Sequence, residues 1–252
     1  MRRRRLLDWF CCQGGASEGF RRAGWDVYGL DAFVEHTQAR YPFPSCKADA
    51  LAAFAALLAG DRLPFTHPRT GQVEWLGLDD FDAHAGSPPC QHASAGTRAM
   101  RAQGRSKHPA LIEPTRAAFR AFGTPYVIEN VKGAALLDPV LLCWSMFHEA
   151  GTVANEDGVP LRMERHRLFE SNVPLSAPRS CSHPRDVQVA GSYGAAQRTI
   201  EGAKQRRGGY VPSKATQQRL LGIDWMTERA MHQAIPPAYT EHLGRQLMGA
   251  LA

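Results

Sequence analysis

Long apolar runs are absent from the sequence, and no segment approaches the length of a membrane span. The basic residues 2–5 are followed by only a brief apolar segment, unlike the pattern of a signal peptide. The six cysteines show neither the spacing of a disulfide framework nor a CxxC pair, and Cys181 with His183 offers only two metal ligands. We therefore expect a soluble, intracellular protein with reduced cysteines and no bound metal.

Acidic residues are fewer than basic ones, with 24 Asp and Glu against 30 Lys and Arg and a formal net charge of +6. This imbalance favours a polyanionic partner. Much of the basic excess lies in residues 2–5 and 98–107. The length of 252 residues fits one α/β domain with a small appendage, which is enough chain for a substantial core.

A cysteine follows a proline-stiffened turn in the first half of the chain. Residues 81–86 have the pattern of a buried strand that ends in glycine, and the sequence continues SPPCQ, in which the cysteine is Cys90. Open α/β sheets carry their chemistry at the carboxyl ends of strands, and the two prolines restrict the backbone that delivers Cys90. Cys90 is therefore a candidate nucleophile, and a small buried apolar residue is the alternative.

Residues 92–109 form a predicted loop rich in small and basic residues. Long loops of this kind are active-site lids or linkers, and the position directly after Cys90 favours a lid whose cations contact phosphates. A merely solvated charged loop is the alternative.

The amino-terminal segment has the pattern of a strand, a glycine turn and a helix. Residues 6–12 are an apolar run of strand length, and residues 13–19 are rich in glycine. This order is typical of sites for nucleotide-like ligands, although the full GxGxxG spacing is missing and a plain tight turn gives the same pattern. A second strand, residues 25–30, ends at Asp31, which accepts hydrogen bonds from ribose hydroxyls or caps a helix.

Glu129 follows another predicted strand, residues 124–128, which comes after an amphipathic helix predicted over residues 111–122. If the strands before Cys90 and Glu129 are parallel neighbours, the thiol and the carboxylate share one edge of the sheet. There a carboxylate can bind the amidine-like edge of a base and transfer a proton, with a helix cap or an ion pair as the alternative. Residues 61–80 predict an excursion from the core in the form of a hairpin.

Four short motifs occur in an order that resembles the DNA (cytosine-5) methyltransferase family, in its small phage or bacterial form. They are Asp8-x-Phe10 with Gly14-Gly15, Pro88-Pro89-Cys90-Gln91, Glu129-Asn130-Val131 and Arg165-His166-Arg167. The resemblance implies an α/β fold with a doubly wound, mostly parallel sheet of the class I, Rossmann-like methyltransferase type, carrying a small basic target-recognition insert. It also implies S-adenosylmethionine as the cofactor and double-stranded DNA as the partner.

In that family the cysteine attacks carbon 6 of a flipped-out cytosine, and carbon 5 takes the methyl group. The resemblance implies the catalytic residues Cys90, Glu129, Arg165 and Arg167. The cofactor site that it implies consists of Phe10, Gln13, Gly14, Gly15, Asp31, Asp49, Pro89, Gln233 and Ala234. The DNA contacts that we predict with it are Gln91, Ser94, Arg98, Arg101, Arg105, Lys107, Arg206 and Arg207.

The same resemblance divides the chain into three parts. Residues 1–171 form the catalytic and cofactor-binding core, residues 172–212 a short target-recognition segment, and residues 213–252 the motifs that return to the core. Basic residues outnumber acidic ones in residues 172–212, which suits contact with phosphates. Because this segment is short, we expect a short or relaxed target site. The compact chain fits a monomeric orphan or phage-type enzyme in the cytoplasm of a bacterial or phage-infected cell.

The sequence departs from the family pattern at four positions. Cys12 stands in place of a glycine, Ala32 in place of an aromatic residue, Met163 in place of a glutamine and Gln233 in place of an asparagine. These departures leave a related cofactor open.

Three other functions remain as alternatives. The first is an RNA (tRNA) cytosine methyltransferase, the second is a catalytically idle relative that binds nucleic acid, and the third is a cysteine hydrolase. A hydrolase needs a histidine base, and the spacing of His84, His92 and His166 relative to Cys90 gives no support for a triad.

Overall fold

The computed structural model describes residues 2–33, 40–89, 110–191 and 210–251. The strands are β1 (Arg5–Trp9), β2 (Asp26–Asp31), β3 (Ser45–Lys47), β4 (Leu63–Thr66), β5 (Val73–Leu76), β6 (Ala83–Gly86), β7 (Tyr126–Asn130), β8 (Val140–Leu142), β9 (Val153–Ala154), β10 (Pro160–Arg162), β11 (Arg167–Ser171) and β12 (Gln188–Val189). The helices are α1 (Gly15–Arg22), α2 (Ala50–Leu58), α3 (Ile112–Phe122), α4 (Lys214–Leu221), α5 (Glu228–Met231) and α6 (Pro237–Ala250).

The main sheet, over the described part of the chain, is parallel at its centre and antiparallel at both margins. The central order is β3-β2-β1-β6-β7, with β4 and β5 beyond β3 and with β11 and β8 beyond β7. The chain runs outward from β1 to β3 and then resumes at β6 on the other side of β1. This reversal makes a switch point between β1 and β6, where open α/β sheets bind their ligands.

Helices cover both faces of the sheet because alternate strand residues point to opposite sides. Leu6 of β1 belongs to the core beneath α1 and α6, whereas Leu7 belongs to the core beneath α2 and α3. The packing of α1 on α6 requires a glycine, since a Cβ at Gly19 would lie only 2.0 Å from Oγ1 of Thr240. Gly19 therefore allows α6, the last helix of the chain, to pack closely against α1.

A second, smaller sheet has the order β12-β10-β9. β12 lies within residues 172–212, but its partner β10 and the strand β9 precede residue 171. The buried Tyr210 joins the same unit, because Nδ2 of Asn155 donates to its hydroxyl at 3.1 Å. The segment predicted to recognise the target is thus anchored on residues of the predicted core.

The prediction of a doubly wound, mostly parallel α/β sheet is confirmed, as is the hairpin in residues 61–80, formed by β4 and β5. The first strand is shorter than predicted and ends at Trp9, because Phe10 and Cys12 adopt left-handed backbone angles that leave the strand. Within the described ranges, no helix has both the length and the apolar character needed to cross a membrane.

Candidate active site

The turn that leads to Cys90 lies beside the end of β7. β6 and β7 are parallel, with Gly86 opposite Ile128, so both chains leave the sheet at the same edge. The side chain of Asn130, which is fully buried, donates from Nδ2 to the carbonyl oxygen of Pro88 at 2.9 Å. Pro89 follows and is half-buried. The expected approach of the two strand ends is confirmed up to Pro89.

Glu129 and Arg167 form a buried ion pair at this edge. The Nε atom of Arg167 lies 2.9 Å from Oε1 of Glu129, and the two residues are each 8% exposed. Burial raises the pKa of the Glu129 carboxyl above its ordinary value, against the opposing effects of Arg167, Arg165 and a hydrogen bond from Ser87. The ion pair anticipated as an alternative is present, and it orients the buried carboxylate.

Arg165 is buried beneath the carboxyl-terminal motif. Its guanidinium donates to the carbonyl oxygens of Met231 at 3.0 Å, His232 at 3.0 Å and Ala234 at 2.6 Å. The carbonyl oxygen of Arg165 accepts from the hydroxyl of Tyr239 at 2.5 Å. These contacts show that Arg165 holds the turn before α6, while its charge also lowers the pKa of the Glu129 carboxyl.

The loop after β1 is held in an unusual conformation by Asp31. Phe10, Cys12 and Gly14 have φ angles of 60°, 48° and 84°, and the left-handed region is strained for the first two. Oδ2 of Asp31 accepts from the backbone nitrogen of Cys12 at 2.9 Å, and Oδ1 accepts from that of Phe33 at 2.9 Å. The carboxylate therefore ties the glycine loop to the tip of β2, and Cys12 adopts the backbone region that a glycine takes more easily.

The glycines of this loop pack against protein. A Cβ on Gly14 would lie 3.1 Å from Cε2 of Tyr41, and one on Gly15 would lie 2.8 Å from the carbonyl oxygen of Ile235. Gln13 is also buried, and its Oε1 accepts from the backbone nitrogen of Thr227 at 2.9 Å. The Gln13 side chain therefore joins the glycine loop to the carboxyl-terminal segment.

The remaining predicted cofactor residues have different environments. Asp49 is exposed and caps α2, since its Oδ1 accepts from the backbone nitrogen of Ala52 at 3.0 Å. Gln233 is exposed, whereas Ala234 is buried with its carbonyl oxygen bound to Arg165. Outside the described residues lie Cys90, Gln91, Ser94, Arg98, Arg101, Arg105, Lys107, Arg206 and Arg207.

His84 is a core residue. It is fully buried, it accepts from Nε1 of Trp9 at 3.1 Å, and burial lowers its pKa to about 3. With this pKa the imidazole of His84 stays neutral at ordinary pH and is a weak base. His84 therefore gives no support to the hydrolase alternative.

Sequence reasoning missed Asn130 and Ser87 as members of the site. Asn130 was quoted within a motif, but its contact with Pro88 depends on the pairing of β6 and β7. Asp8 was likewise quoted within a motif without a role of its own, and it is buried and accepts from Oγ of Ser17 at 2.5 Å. The signal available in the sequence was a polar residue within or directly after an apolar strand segment.

Comparison with solved structures identifies the fold. A protein described as a DNA modification methyltransferase encoded within an E. coli prophage superposes with a TM-score of 0.55 at 13% identity, covering 98% of this chain and 99% of that one. The chain has the Rossmann-like methyltransferase fold. A mutant of DNMT2 from Spodoptera frugiperda matches with a TM-score of 0.52 at 9% identity, over 98% of this chain and 99% of that one. No protein-family profile and no curated protein matches the sequence.

Proposed function

We propose that this chain is a DNA (cytosine-5) methyltransferase that uses S-adenosylmethionine and forms a covalent adduct through Cys90. The observation that carries the proposal is the buried Glu129–Arg167 pair, which lies at the same sheet edge as the turn that delivers Cys90. The prophage protein of the same fold, described as a DNA modification methyltransferase, supports the choice of DNA. The partner that we propose is double-stranded DNA, and the enzyme acts as a monomer.

Glu129 supplies the contact with the target base. A carboxyl group faces the ring nitrogen and the exocyclic amine of cytosine as a matched donor and acceptor pair. Because burial raises the pKa of Glu129, the group can hold a proton for the ring nitrogen when negative charge develops on the ring. Arg167 fixes the direction of the carboxylate and limits its rotation.

Cys90 supplies the nucleophile. As its thiolate adds to carbon 6 of cytosine, the electron pair of the C5–C6 double bond moves to carbon 5 and takes up the methyl group. A base then removes the proton from carbon 5, and the electrons released expel Cys90 as a thiolate. The target carbon is hidden in stacked DNA, so the base must be flipped out of the duplex. Residues 92–109 carry the cations that we assign to phosphate contacts.

The residues at the switch point fit a nucleoside cofactor. The loop after β1 lies on one side of the crevice between β1 and β6, and the carboxylate of Asp31 stands half-buried at the tip of β2. Each oxygen of Asp31 accepts one backbone hydrogen bond and keeps a lone pair for a ribose hydroxyl. S-adenosylmethionine bound here supplies the methyl group as an electrophile. Phe10, Asp49, Pro89 and Gln233 complete the cofactor residues that we propose.

The test is transfer of labelled methyl from S-adenosylmethionine to unmethylated DNA, with tRNA and free deoxycytidine nucleotides as parallel substrates. We expect label in DNA as 5-methylcytosine, and its loss in Cys90→Ser. Cys46→Ala is the control for loss of a cysteine, because Cys46 on β3 is not among the residues that we propose for catalysis or cofactor binding. DNA in which 5-fluorocytosine replaces cytosine should form a stable adduct with the wild type, since fluorine on carbon 5 cannot leave as a proton.

Label found only in tRNA would show that the substrate is RNA and would contradict the proposal of DNA. Folded protein that binds nucleic acid but transfers no label to any substrate would contradict the enzyme and favour an idle relative. Both outcomes are read on the same samples, with folding checked by circular dichroism.

A further inference from the structure

Two cysteines and two histidines meet beside the start of β11. Cys143, His166, Cys181 and His183 each bring one ligand atom to within 4.8 Å of the others. We propose that these four side chains form a structural zinc site. Two cysteines and two histidines supply all four ligands of the tetrahedron that zinc prefers. No coordination position is then left for water or a substrate, which is typical of a structural site.

The distances are close to those of a formed site. Bond lengths of about 2.3 Å to sulfur and about 2.0 Å to nitrogen put adjacent sulfur and nitrogen ligands about 3.6 Å apart in a tetrahedron. Sγ of Cys143 lies 3.4 Å from Nε2 of His183, and Sγ of Cys181 lies 3.8 Å from Nε2 of His166. Binding therefore requires small side-chain movements, with the thiol protons released to solvent.

The fold explains how distant residues reach one place. β8 and β11 are antiparallel, and the register pairs Leu142 with Arg167. Cys143 and His166 are the next residues along this register, so they face each other just beyond the ladder. Cys181 and His183 arrive from the segment that leads to β12. The sequence argument against a metal counted only Cys181 and His183. Cys143 and His166 are far apart in sequence, and only the pairing of β8 with β11 brings them together.

Supporting contacts orient the ligands as in known metal sites. Nδ1 of His183 lies 3.4 Å from Oε1 of Glu164, which leaves Nε2 for a metal. Oγ of Ser145 lies 3.6 Å from Sγ of Cys143 and also accepts from the backbone nitrogen of Ser182 at 3.1 Å. These contacts fix the ring orientation of His183 and the position of the Cys143 thiol.

The site joins the proposed recognition segment to the proposed catalytic strand. His166 lies between Arg165 and Arg167, and Cys181 lies within residues 172–212. Nε of Arg179 donates to the carbonyl oxygen of Met146 at 3.0 Å, which clamps the same segment to the turn after Cys143. We assign the zinc ion a role in fixing this segment against β11.

The test is the metal content of the full chain, purified without chelator from cells grown with zinc. We expect about one zinc ion per chain, and its loss in Cys181→Ser. Cys181 is exposed, so this substitution removes a ligand without disturbing the core. Cys46→Ala is the matched control and should keep the metal, because Cys46 lies on β3 outside the cluster.

Cobalt provides a second readout that does not depend on activity. Co²⁺ added to metal-free protein should give the visible absorption of tetrahedral cobalt with a sulfur charge-transfer band. Cys143→Ala should weaken the sulfur band, the double variant with Cys181→Ser should lose it, and Glu164→Gln should weaken metal affinity about 10–100-fold.

Folded wild-type protein with neither zinc nor a cobalt spectrum would overturn the proposal. A Cys143–Cys181 disulfide, detected as a mass lower by about two hydrogens before reduction, would overturn it as well. Because metal binding is measured without methyl transfer, failure of the proposed enzymatic function leaves this result intact.

Discussion

The side-chain amide of Asn130 donates to the carbonyl oxygen of Pro88 at 2.9 Å, joining the end of β7 to the turn that leads to Cys90. The amide is fully buried, so its geometry is set by the sheet. Because this hydrogen bond holds Pro88, we expect it to restrict the turn after which Cys90 follows in the sequence. Asn130 is therefore a positioning residue for the nucleophile that we propose.

We expect Asn130→Ala to lower the free energy of unfolding by about 1–3 kcal/mol, because it leaves the Pro88 carbonyl without its donor. Methyl transfer should fall by at least about 10-fold at temperatures where the variant is folded. The matched control is Asn172→Ala, since Asn172 bonds the other end of β7 at the backbone nitrogen of Tyr126. Equal losses of transfer in the two variants would assign Asn130 a purely structural role.

We expect substitutions of Glu129 and Arg167 to show a large coupling energy in the free energy of unfolding, because the two side chains form a buried ion pair. Arg167→Ala leaves a buried carboxylate without this guanidinium and should destabilise the protein by about 3–5 kcal/mol. Adding Glu129→Gln should recover part of that loss, because the remaining group is neutral. Urea unfolding of the wild type, both single variants and the double variant measures the coupling. Additive losses would show that the two side chains act independently.

Arg165 is expected to act through the carboxyl-terminal turn. Arg165→Ala frees the carbonyl oxygens of Met231, His232 and Ala234, so the KM for S-adenosylmethionine should rise by about 10-fold or more with a smaller change in kcat. The control is Arg22→Ala, which removes a surface contact with the carbonyl oxygen of Gly222. A fall in kcat at constant KM would instead place Arg165 in the chemical step.

Asp8 makes stability depend on pH. Burial is the main cause that raises its pKa from 3.8 to about 7. Between these values the folded state binds the proton and the unfolded state releases it, so the free energy of unfolding falls as pH rises from about 4 to about 7.

Asp8→Asn mimics the protonated form and keeps an acceptor for the Ser17 hydroxyl. The difference in stability between wild type and Asp8→Asn should therefore grow across this pH range, by a few kcal/mol, and level off above it. Urea unfolding at several pH values measures the difference. A constant difference would show that Asp8 titrates normally.

Local patterns predicted the elements well. Strand β2, helix α3 and the hairpin of β4 and β5 follow from apolar periodicity and turn residues in adjacent sequence. The end of β1 was placed too late, because periodicity does not report the left-handed angles of Phe10 and Cys12. Those angles are stabilised by Asp31, which lies in another strand.

Site residues were predicted as a set, and the structure separates their roles. Glu129 and Arg167 meet at one edge, whereas Arg165 and Gln13 are engaged with the carboxyl-terminal segment. The motif around Arg165 places the two arginines together in sequence, but Arg167 pairs directly with Glu129, whereas Arg165 donates to the carbonyl oxygens of the carboxyl-terminal turn and acts on Glu129 through its charge. Only the packing of α6 and its preceding turn against the sheet decides between these roles.

Neighbouring residues were enough to predict β2, α3, β7, the hairpin of β4 and β5, and the glycine and proline turns, because each depends on local sequence. The tertiary structure alone decided the pairing of Asn130 with Pro88 and the meeting of Cys143 and His166 with Cys181 and His183. Those contacts join residues separated by 15 to 42 positions. Strand order and register bring such residues together, and no local pattern encodes that geometry.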